Sequence, residues 1–279
     1  MAFQRSGQTY LFIDGEYLRQ IHRDAMDGFF GVDGDIDFLP IKEQAGAVRA
    51  FVYDAIDDEP REGETEDARQ ARIAPLERSY SCARALSGVH VRLGTVVGKR
   101  SRKRKEPRQK EVDILLATDM LTHGFNGSMR SAVLLSGDLD FRPVVETLVR
   151  HGVFVEVWYH RSSVAEDLPG AADFGRELKF RQLHSWNTKS FQKDYRLPSE
   201  CEPAGGPVGE LLRVGSVMGY PAELRRHHHK SIDLWVTTEP GSTLRISDED
   251  ENLIERYVAI QYASIQWEHN AEEIRVTGP

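Results

Sequence analysis

Short apolar runs recur along the first two thirds of the chain, each followed by a polar turn and then by a longer segment. The runs lie at 10–13, 48–53, 89–97, 132–135 and 153–159. Their length, and in most of them the β-branched and aromatic residues, are typical of buried strands. Strands that alternate with helices over short connections predict a parallel sheet with helices on both faces. We therefore expect an α/β domain.

Capping residues and apolar spacing predict the helices between these strands. The first begins near Glu16 and is followed by an acidic, glycine-containing loop over 24–37. The others are predicted over 38–44 with Asp35 or Asp37 as N-cap, over 65–86 with an interruption at Pro75 and a stop at Gly88, over 110–122 and over 141–151. A helix and one more short element are expected within 162–179.

The last third of the chain has a weaker pattern. Residues 191–209 are predicted as a linker because LPSECEPAGGPVG, at 197–209, is rich in Pro and Gly. The chain then divides into a domain at 1–190, the linker, and a C-terminal segment at 210–279 of unknown role. That segment is predicted as a small α+β appendage, with a helix over 209–226, a strand-turn-strand over 232–246 and a helical or mixed stretch near 251–267. The consecutive histidines 227–229 diverge on a helix or a strand, which favours a solvated turn over a metal site.

Composition narrows the class of protein. The chain has 279 residues, 40% hydrophobic and 29% charged, with a net charge of −8, as in ordinary globular proteins. The apolar runs are strand-sized and the N-terminus lacks a signal-peptide core, so we expect a cytoplasmic protein without membrane contact. Cys82 and Cys201 form no metal-type pair and are interpreted as reduced thiols.

Carboxylates stand directly after two of the predicted strands. Asp14 follows YLFI, and Asp138 and Asp140 follow AVLLSG; Asp113 lies in the helix before that second strand. In open α/β sheets the carboxyl ends of the strands form the ligand crevice. A single Asp there is often only a helix cap, whereas four in matching positions favour a site for a hard divalent cation, Mg²⁺ or Mn²⁺, acting on a phosphodiester. Asp119 lies about 240° round the helix from Asp113, so both cannot point at one ion. Asp119 is predicted to support a ligand of the ion or to cap the helix.

A strongly basic run precedes the helix of Asp113. KRSRKRK at 99–105 has six cations in seven residues, and Arg108 and Lys110 extend it. Such a run is either a solvated loop or a surface for a nucleic-acid backbone. Other chemistries find no support, since the chain has no G-x-G-x-x-G after the first strand, no Walker motif, and no G-x-S-x-G around Ser136.

Three segments resemble the NYN domain, the LabA-like branch of the PIN-like nucleases. They are FIDGEYL at 12–18, KEVDILLATDML at 110–121 and LLSGDLDFRPVVETLVRHGVFVEV at 134–157, and the resemblance covers about 8–185. It implies a Rossmann-like, three-layer α/β/α fold whose aspartates bind Mg²⁺ or Mn²⁺ and act on RNA. The family's aspartates fall on Asp14, Asp113, Asp138 and Asp140, and Ser136 matches its serine. The family often has Asn three residues after its first aspartate, whereas this chain has Tyr17.

The first hypothesis is a metal-dependent ribonuclease. Asp14, Asp138 and Asp140 would be the main ligands, and Asp113 a ligand or the positioner of the attacking water. The residues expected to contact single-stranded or structured RNA are Ser136, Lys99, Arg100, Arg102, Lys103, Arg104, Lys105 and Lys110.

Two other hypotheses stay open at this point. One is a weak or inactive RNA-binding or protein-interaction module, which Tyr17 and the acidic net charge favour. The other is a phosphatase or nucleotide hydrolase with a small substrate. In either case the C-terminal segment could recruit a protein partner or a second copy of the chain.

Overall fold

The structure is a computed structural model that describes residues 8–56, 60–94, 107–227, 231–239 and 242–270, with the backbone alone at 107–110, 238–239, 242 and 269–270. The chain forms two compact units, Met1–Phe191 and Gln192–Pro279. The first contains a parallel sheet with flanking helices, and the second contains an antiparallel sheet with a helix. The predicted α/β class with a C-terminal α+β appendage is therefore confirmed. None of the described helices is long and apolar enough to cross a membrane.

The first unit alternates strands and helices as expected. Its strands are β1 (Thr9–Asp14), β2 (Arg49–Asp54), β3 (Val89–Leu93), β4 (Ser131–Leu135), β5 (Phe154–Tyr159) and β6 (Phe174–Glu177). Its helices are α1 (Gly15–Phe30), α2 (Phe38–Gln44), α3 (Glu66–Ala85), α4 (Pro107–Phe125), α5 (Arg142–Arg150), α6 (Asp167–Gly170), α7 (Phe180–Ser185) and α8 (Lys189–Asp194), the last continuing into the second unit. Single 3-10 turns lie at Leu139–Phe141 and Arg161–Ser163.

All six strands of this sheet are parallel, in the order β3-β2-β1-β4-β5-β6. The chain builds outward from β1 in one direction and from β4 in the other, so the strand order reverses between these two strands. Phe12 of β1 and Leu134 of β4 face α4 and α5 within one buried cluster. Their neighbours alternate to the opposite face, where α1 packs. The reversal point is where an α/β sheet opens a crevice for a ligand.

The predicted loop over 24–37 is wrong in its first half, because α1 continues to Phe30. The apolar stripe of the first turns of α1 continues with Ala25, Met26 and Phe29, which are buried on the same side. Burial of this stripe extends the helix past the acidic residues. The helix ends at Gly31, whose φ of 73° is a left-handed conformation that glycine adopts without steric cost. Asp37 caps α2 as predicted, accepting a hydrogen bond from the Leu39 amide.

The predicted interruption at Pro75 is also wrong. Helix α3 runs unbroken over 20 residues with Pro75 inside it. Pro75 is exposed, so the backbone bond that its ring removes is replaced by solvent. Thr65 caps the start of this helix through its hydroxyl, which accepts from the Ala68 amide.

The second unit differs most from the sequence prediction. Its strands are β7 (Ser199–Cys201), β8 (Glu210–Val217), β9 (Tyr220–Arg226), β10 (Ile232–Glu239), β11 (Ser242–Asp248) and β12 (Gln266–Asn270), in the sheet order β12-β8-β9-β10-β11-β7, and its helix is α9 (Glu251–Gln261). The expected helix over 209–226 is wrong: β8 and β9 form a hairpin around Met218 and Gly219, both with positive φ. Strand β7, inside the segment predicted as a linker, pairs with β11. Of the three histidines 227–229, the last two lie outside the described residues.

We expect Leu134→Ala to lower the free energy of unfolding by about 2–5 kcal/mol, because the truncation leaves a cavity in a fully buried strand. Urea unfolding followed by far-UV circular dichroism measures the change. Val48→Ala is the control, since Val48 is 52% exposed and its truncation should cost little. An equal loss in both variants would contradict the position of β4 in the core.

Candidate metal centre

Asp14 is fixed at the point where the strand order reverses. It ends β1 and caps α1, with Oδ1 accepting from the Tyr17 amide at 3.1 Å. Its Oδ2 accepts from the Ser136 hydroxyl at 3.0 Å. Ser136 directly follows β4, the strand beside β1, and is fully buried. Two neighbouring strand ends therefore hold one carboxylate in a set orientation.

The turn after β4 places two more carboxylates at the same edge of the sheet. The Asp138 amide donates to the Ser136 hydroxyl at 3.2 Å, and Asp138 Oδ1 accepts from the Asp140 amide at 2.9 Å. Asp138 is half-buried and Asp140 is exposed. Asp138 is thus also the cap of the 3-10 turn Leu139–Phe141. The capping role and a role at the site coexist, because only one of its oxygens accepts the capping bond.

Asp113 approaches the same acids from α4. It lies beside Val112, which is buried against the sheet, and is itself half-buried. Burial raises the pKa of the Asp113 carboxyl to about 7, and the charges of Asp14, Asp138, Asp140 and Glu16 add to the rise. The four predicted aspartates are therefore close enough for the charges of Asp14, Asp138 and Asp140 to act on Asp113.

The pKa of the Asp14 carboxyl responds to the same two effects, burial and neighbouring negative charge. Burial raises its pKa, and the charges of Glu16 and Asp138 raise it further. The hydrogen bonds from the Tyr17 amide and the Ser136 hydroxyl act in the opposite direction because they stabilise the carboxylate. Acids collected in this way are unfavourable unless a positive charge joins them.

A hard divalent cation suits this donor set, although no complete coordination shell is preformed. The described residues contain no group of three or more His, Cys, Asp or Glu side chains arranged to hold a metal ion. The side chains of Asp113 and Asp140 accept no hydrogen bond within the described parts of the chain. Mg²⁺ is usually held by one or two carboxylates, with water and substrate phosphate as the other ligands. Asp14 and Asp138, each already oriented, fit that role.

Asp119 belongs to a separate interaction on the other side of α4. It accepts from the Tyr53 hydroxyl at 2.8 Å and pairs with the Arg92 guanidinium at 2.8 Å. Its charge is therefore compensated by groups on β2 and β3. Asp119 ties α4 to the sheet and caps neither end of the helix.

Tyr17 takes the place where the family often has Asn, and its hydroxyl faces the backbone of another strand. The His160 amide, just after β5, donates to the Tyr17 hydroxyl at 2.8 Å. Gly137 packs so closely on the Tyr17 ring that a Cβ at this position would come within 2.6 Å of it. Tyr17 is buried and braces the Ser136–Asp138 turn from behind. It contributes no oxygen to the acids.

Two acids near the site were missed by the sequence analysis. Glu16, in the first turn of α1, adds its charge to the field on Asp14 and Asp113. Asp54 ends β2, next to β1, and the same strand-end signal that identified Asp14 could have identified it. Asp54 is committed elsewhere, however, because Arg19 forms an ion pair with it and the Tyr80 hydroxyl donates to it.

The cationic residues predicted to contact RNA are not part of the described geometry. Lys99, Arg100, Arg102, Lys103, Arg104 and Lys105 lie outside the described residues. Lys110 lies in the first turn of α4, where the backbone alone is described. Their role stays a prediction.

Comparison with known proteins gives the family of the chain. A family model described as the NYN domain matches residues 8–176, and the chain belongs to this family, whose members are generally nuclease-like. No curated protein gives a significant match. Among solved structures, a protein of unknown function from Vibrio parahaemolyticus is similar, with 17% identity and a TM-score of 0.43 over 64% of this chain and 96% of that one. A similarity this distant carries no functional argument.

In the presence of a chelator, we expect Asp113→Asn to raise the melting temperature at pH 8. The folded-state pKa of about 7 lies above the ordinary value of 3.8 for an aspartate, so ionisation opposes folding above pH 4 and does so fully above pH 7. With solvent screening of a half-buried group taken into account, the gain should be about 2–4 °C, which corresponds to about 1 kcal/mol in a domain of this size. The gain should shrink as the pH falls from 7 toward 4.

The matched control is Asp119→Asn on the same helix. Asp119 is paired with Arg92 and Tyr53, so its neutralisation should give no such gain. Differential scanning calorimetry of both variants at several pH values measures the difference. Equal behaviour of the two variants would contradict the charge crowding at Asp113.

Proposed function

We propose that the protein is a metal-dependent ribonuclease that hydrolyses RNA phosphodiester bonds. The observation that carries the proposal is the group of Asp14, Asp113, Asp138 and Asp140 at the reversal point of the sheet, with raised pKa values at Asp14 and Asp113. Membership of a nuclease-like family supports the same reaction class.

Each residue has a distinct part in this proposal. The metal ligands are Asp14, Asp138 and Asp140. The Ser136 hydroxyl fixes the orientation of the Asp14 carboxylate through its hydrogen bond to Oδ2. A bound Mg²⁺ or Mn²⁺ would supply charge neutralisation at the phosphoryl group and lower the pKa of the attacking water. Asp113 is a ligand or holds that water through a carboxylate oxygen. The sequence also predicts that Ser136 contacts the substrate; because its side chain is fully buried and bonded to Asp14 and to the Asp138 amide, we propose that it acts on the substrate through these two aspartates.

Substrate binding is assigned to the basic segment from Lys99 to Lys110. A site rich in carboxylates repels a polyanion, so a neighbouring set of cations is needed to hold the RNA backbone. The segment directly precedes Asp113 in sequence, which ties it to the site. The proposal places the protein in the cytoplasm, in keeping with two free, exposed cysteines. The unit after 191 is proposed to recruit a protein partner or a second copy.

One observation favours the alternative of a catalytically weak RNA-binding or protein-interaction module. The Tyr17 hydroxyl is already bonded to the His160 amide, so the site lacks the polar amide that the family often has there. An Asn at this position could orient water or phosphate, whereas the Tyr17 ring only supports the turn.

We expect purified protein to cleave end-labelled RNA with Mn²⁺ or Mg²⁺ and not with chelator. Asp138→Asn should reduce the rate by at least about 100-fold while leaving RNA binding intact, because it removes a ligand oxygen charge and not the basic segment. Asp119→Asn is the control that keeps activity. Binding without cleavage under every metal condition would overturn the nuclease and leave the binding module.

Metal binding can be tested separately from cleavage. Mn²⁺ at 100 times its Kd should stabilise the wild type by about 2.7 kcal/mol, seen as a higher melting temperature. An Asp14→Asn, Asp138→Asn double variant should show no such increase. The same increase in both proteins would mean that the ion binds elsewhere.

A further inference from the structure

A cavity lies between α1 and α3, beside the candidate metal centre. Its volume is about 330 Å³, within the range of about 300–1,000 Å³ for ligand pockets. The walls come from α1, the segment 33–38 and α3. Gly15 is part of the wall and directly follows Asp14, so the cavity and the carboxylates share the start of α1.

Two arginines one helical turn apart face this cavity from α1. Arg19 is half-buried and pairs with Asp54, whereas Arg23 is exposed and forms no ion pair among the described residues. Burial, together with the charge of Arg23, lowers the pKa of the Arg19 guanidinium, and Glu16 and Asp14 oppose that effect. Arg19 is already paired with Asp54 and donates to the Tyr80 hydroxyl, so an anion in this cavity would be held by Arg23.

The rest of the wall suits a flat, partly apolar ring. Leu18 and Leu76 line it, and Phe38 and Tyr80 add two rings with centroids 6.1 Å apart. Burial lowers the pKa of His22 to about 4, with a contribution from His184, so His22 lines the cavity as an uncharged ring at neutral pH.

A carboxylate stands at the rim of the same cavity. Asp33 is exposed there and accepts no hydrogen bond from the described residues. Its oxygens can accept from sugar hydroxyls. An anion site, a ring site and a hydroxyl acceptor within one cavity match the three parts of a ribonucleotide.

We propose that this cavity binds one nucleotide of the RNA strand next to the bond placed at Asp14. Its phosphate lies against Arg23, its base against Leu76 and the rings, and its ribose near Asp33. The choice of RNA as ligand rests on the proposed function, and it adds a nucleotide subsite on the α1–α3 side of the acids.

The first test is binding of the four ribonucleoside 5′-monophosphates to the full chain in chelator, by calorimetry. At least one should bind, Arg23→Ala should weaken it about tenfold through loss of a charged contact, and Ser79→Trp should abolish it by filling the cavity. Arg78→Ala is the control, an exposed arginine of α3 outside the cavity wall. Absence of binding by all four, or equal binding by the Arg23 and Arg78 variants, overturns the proposal.

The second test asks whether the bound mononucleotide occupies the place of a nucleotide of the RNA substrate. It also distinguishes a failure of this inference from a failure of the proposed nuclease activity. The bound mononucleotide should compete with an RNA oligomer in chelator, and Arg23→Ala should raise KM for cleavage more than it changes kcat. A mononucleotide that binds without displacing RNA overturns the subsite. Cleavage with an unchanged KM in Ser79→Trp also overturns it while the nuclease stands. If the mononucleotide competes with RNA but the protein never cleaves RNA, the nuclease proposal is overturned and the nucleotide subsite stands.

Discussion

The hydrogen bond from Ser136 to Asp14 joins the two strands between which the sheet reverses its order, and the site depends on it. Thr9 to Ile13 of β1 pair in parallel with 131–135 of β4, so the residues that follow each strand emerge side by side. A shift of one residue in this register would turn Asp14 to the opposite face of the sheet. The buried apolar side chains on both faces of β1 prevent that shift, because it would exchange their environments.

The site is built at a cost in stability. Desolvation and mutual repulsion raise the pKa of Asp14 and of Asp113. Ionising these two carboxyls therefore costs more free energy in the folded chain than in the unfolded chain. Asp119 and Asp54, which are close in sequence or in space, are each paired with an arginine, although burial also raises the pKa of Asp54 to about 8. Acids paired with arginine help to hold the fold together, and the acids that have no cationic partner among the described residues are the ones proposed for chemistry.

Tyr17 shows how one residue changes the function of a position. Its ring fills the space behind Gly137, and its hydroxyl accepts from the His160 amide, so the two loops that follow β4 and β5 are braced through one side chain of α1. The turn that carries Asp138 is thereby stiffened. On the other side of α1, Arg19 and Arg23 turn toward the cavity with α3, so the same helix serves the acids at its first turn and the cavity along its flank.

The sequence by itself determined the α/β class and the succession of the first five strands along the chain, and it singled out the four aspartates as candidates for a site, since these depend on apolar runs and on the residues near them. It limited the cap of α2 to Asp35 or Asp37 because capping is a local interaction, and the structure has Asp37. Tertiary structure decided the rest. The end of α1 at Gly31 and the β8–β9 hairpin depend on which side chains are buried, and packing overrides local propensity in both. The pairing of Asp119 with Tyr53 and Arg92, the bracing by Tyr17 and the cavity between α1 and α3 arise between distant segments, whose proximity only the folded sheet establishes.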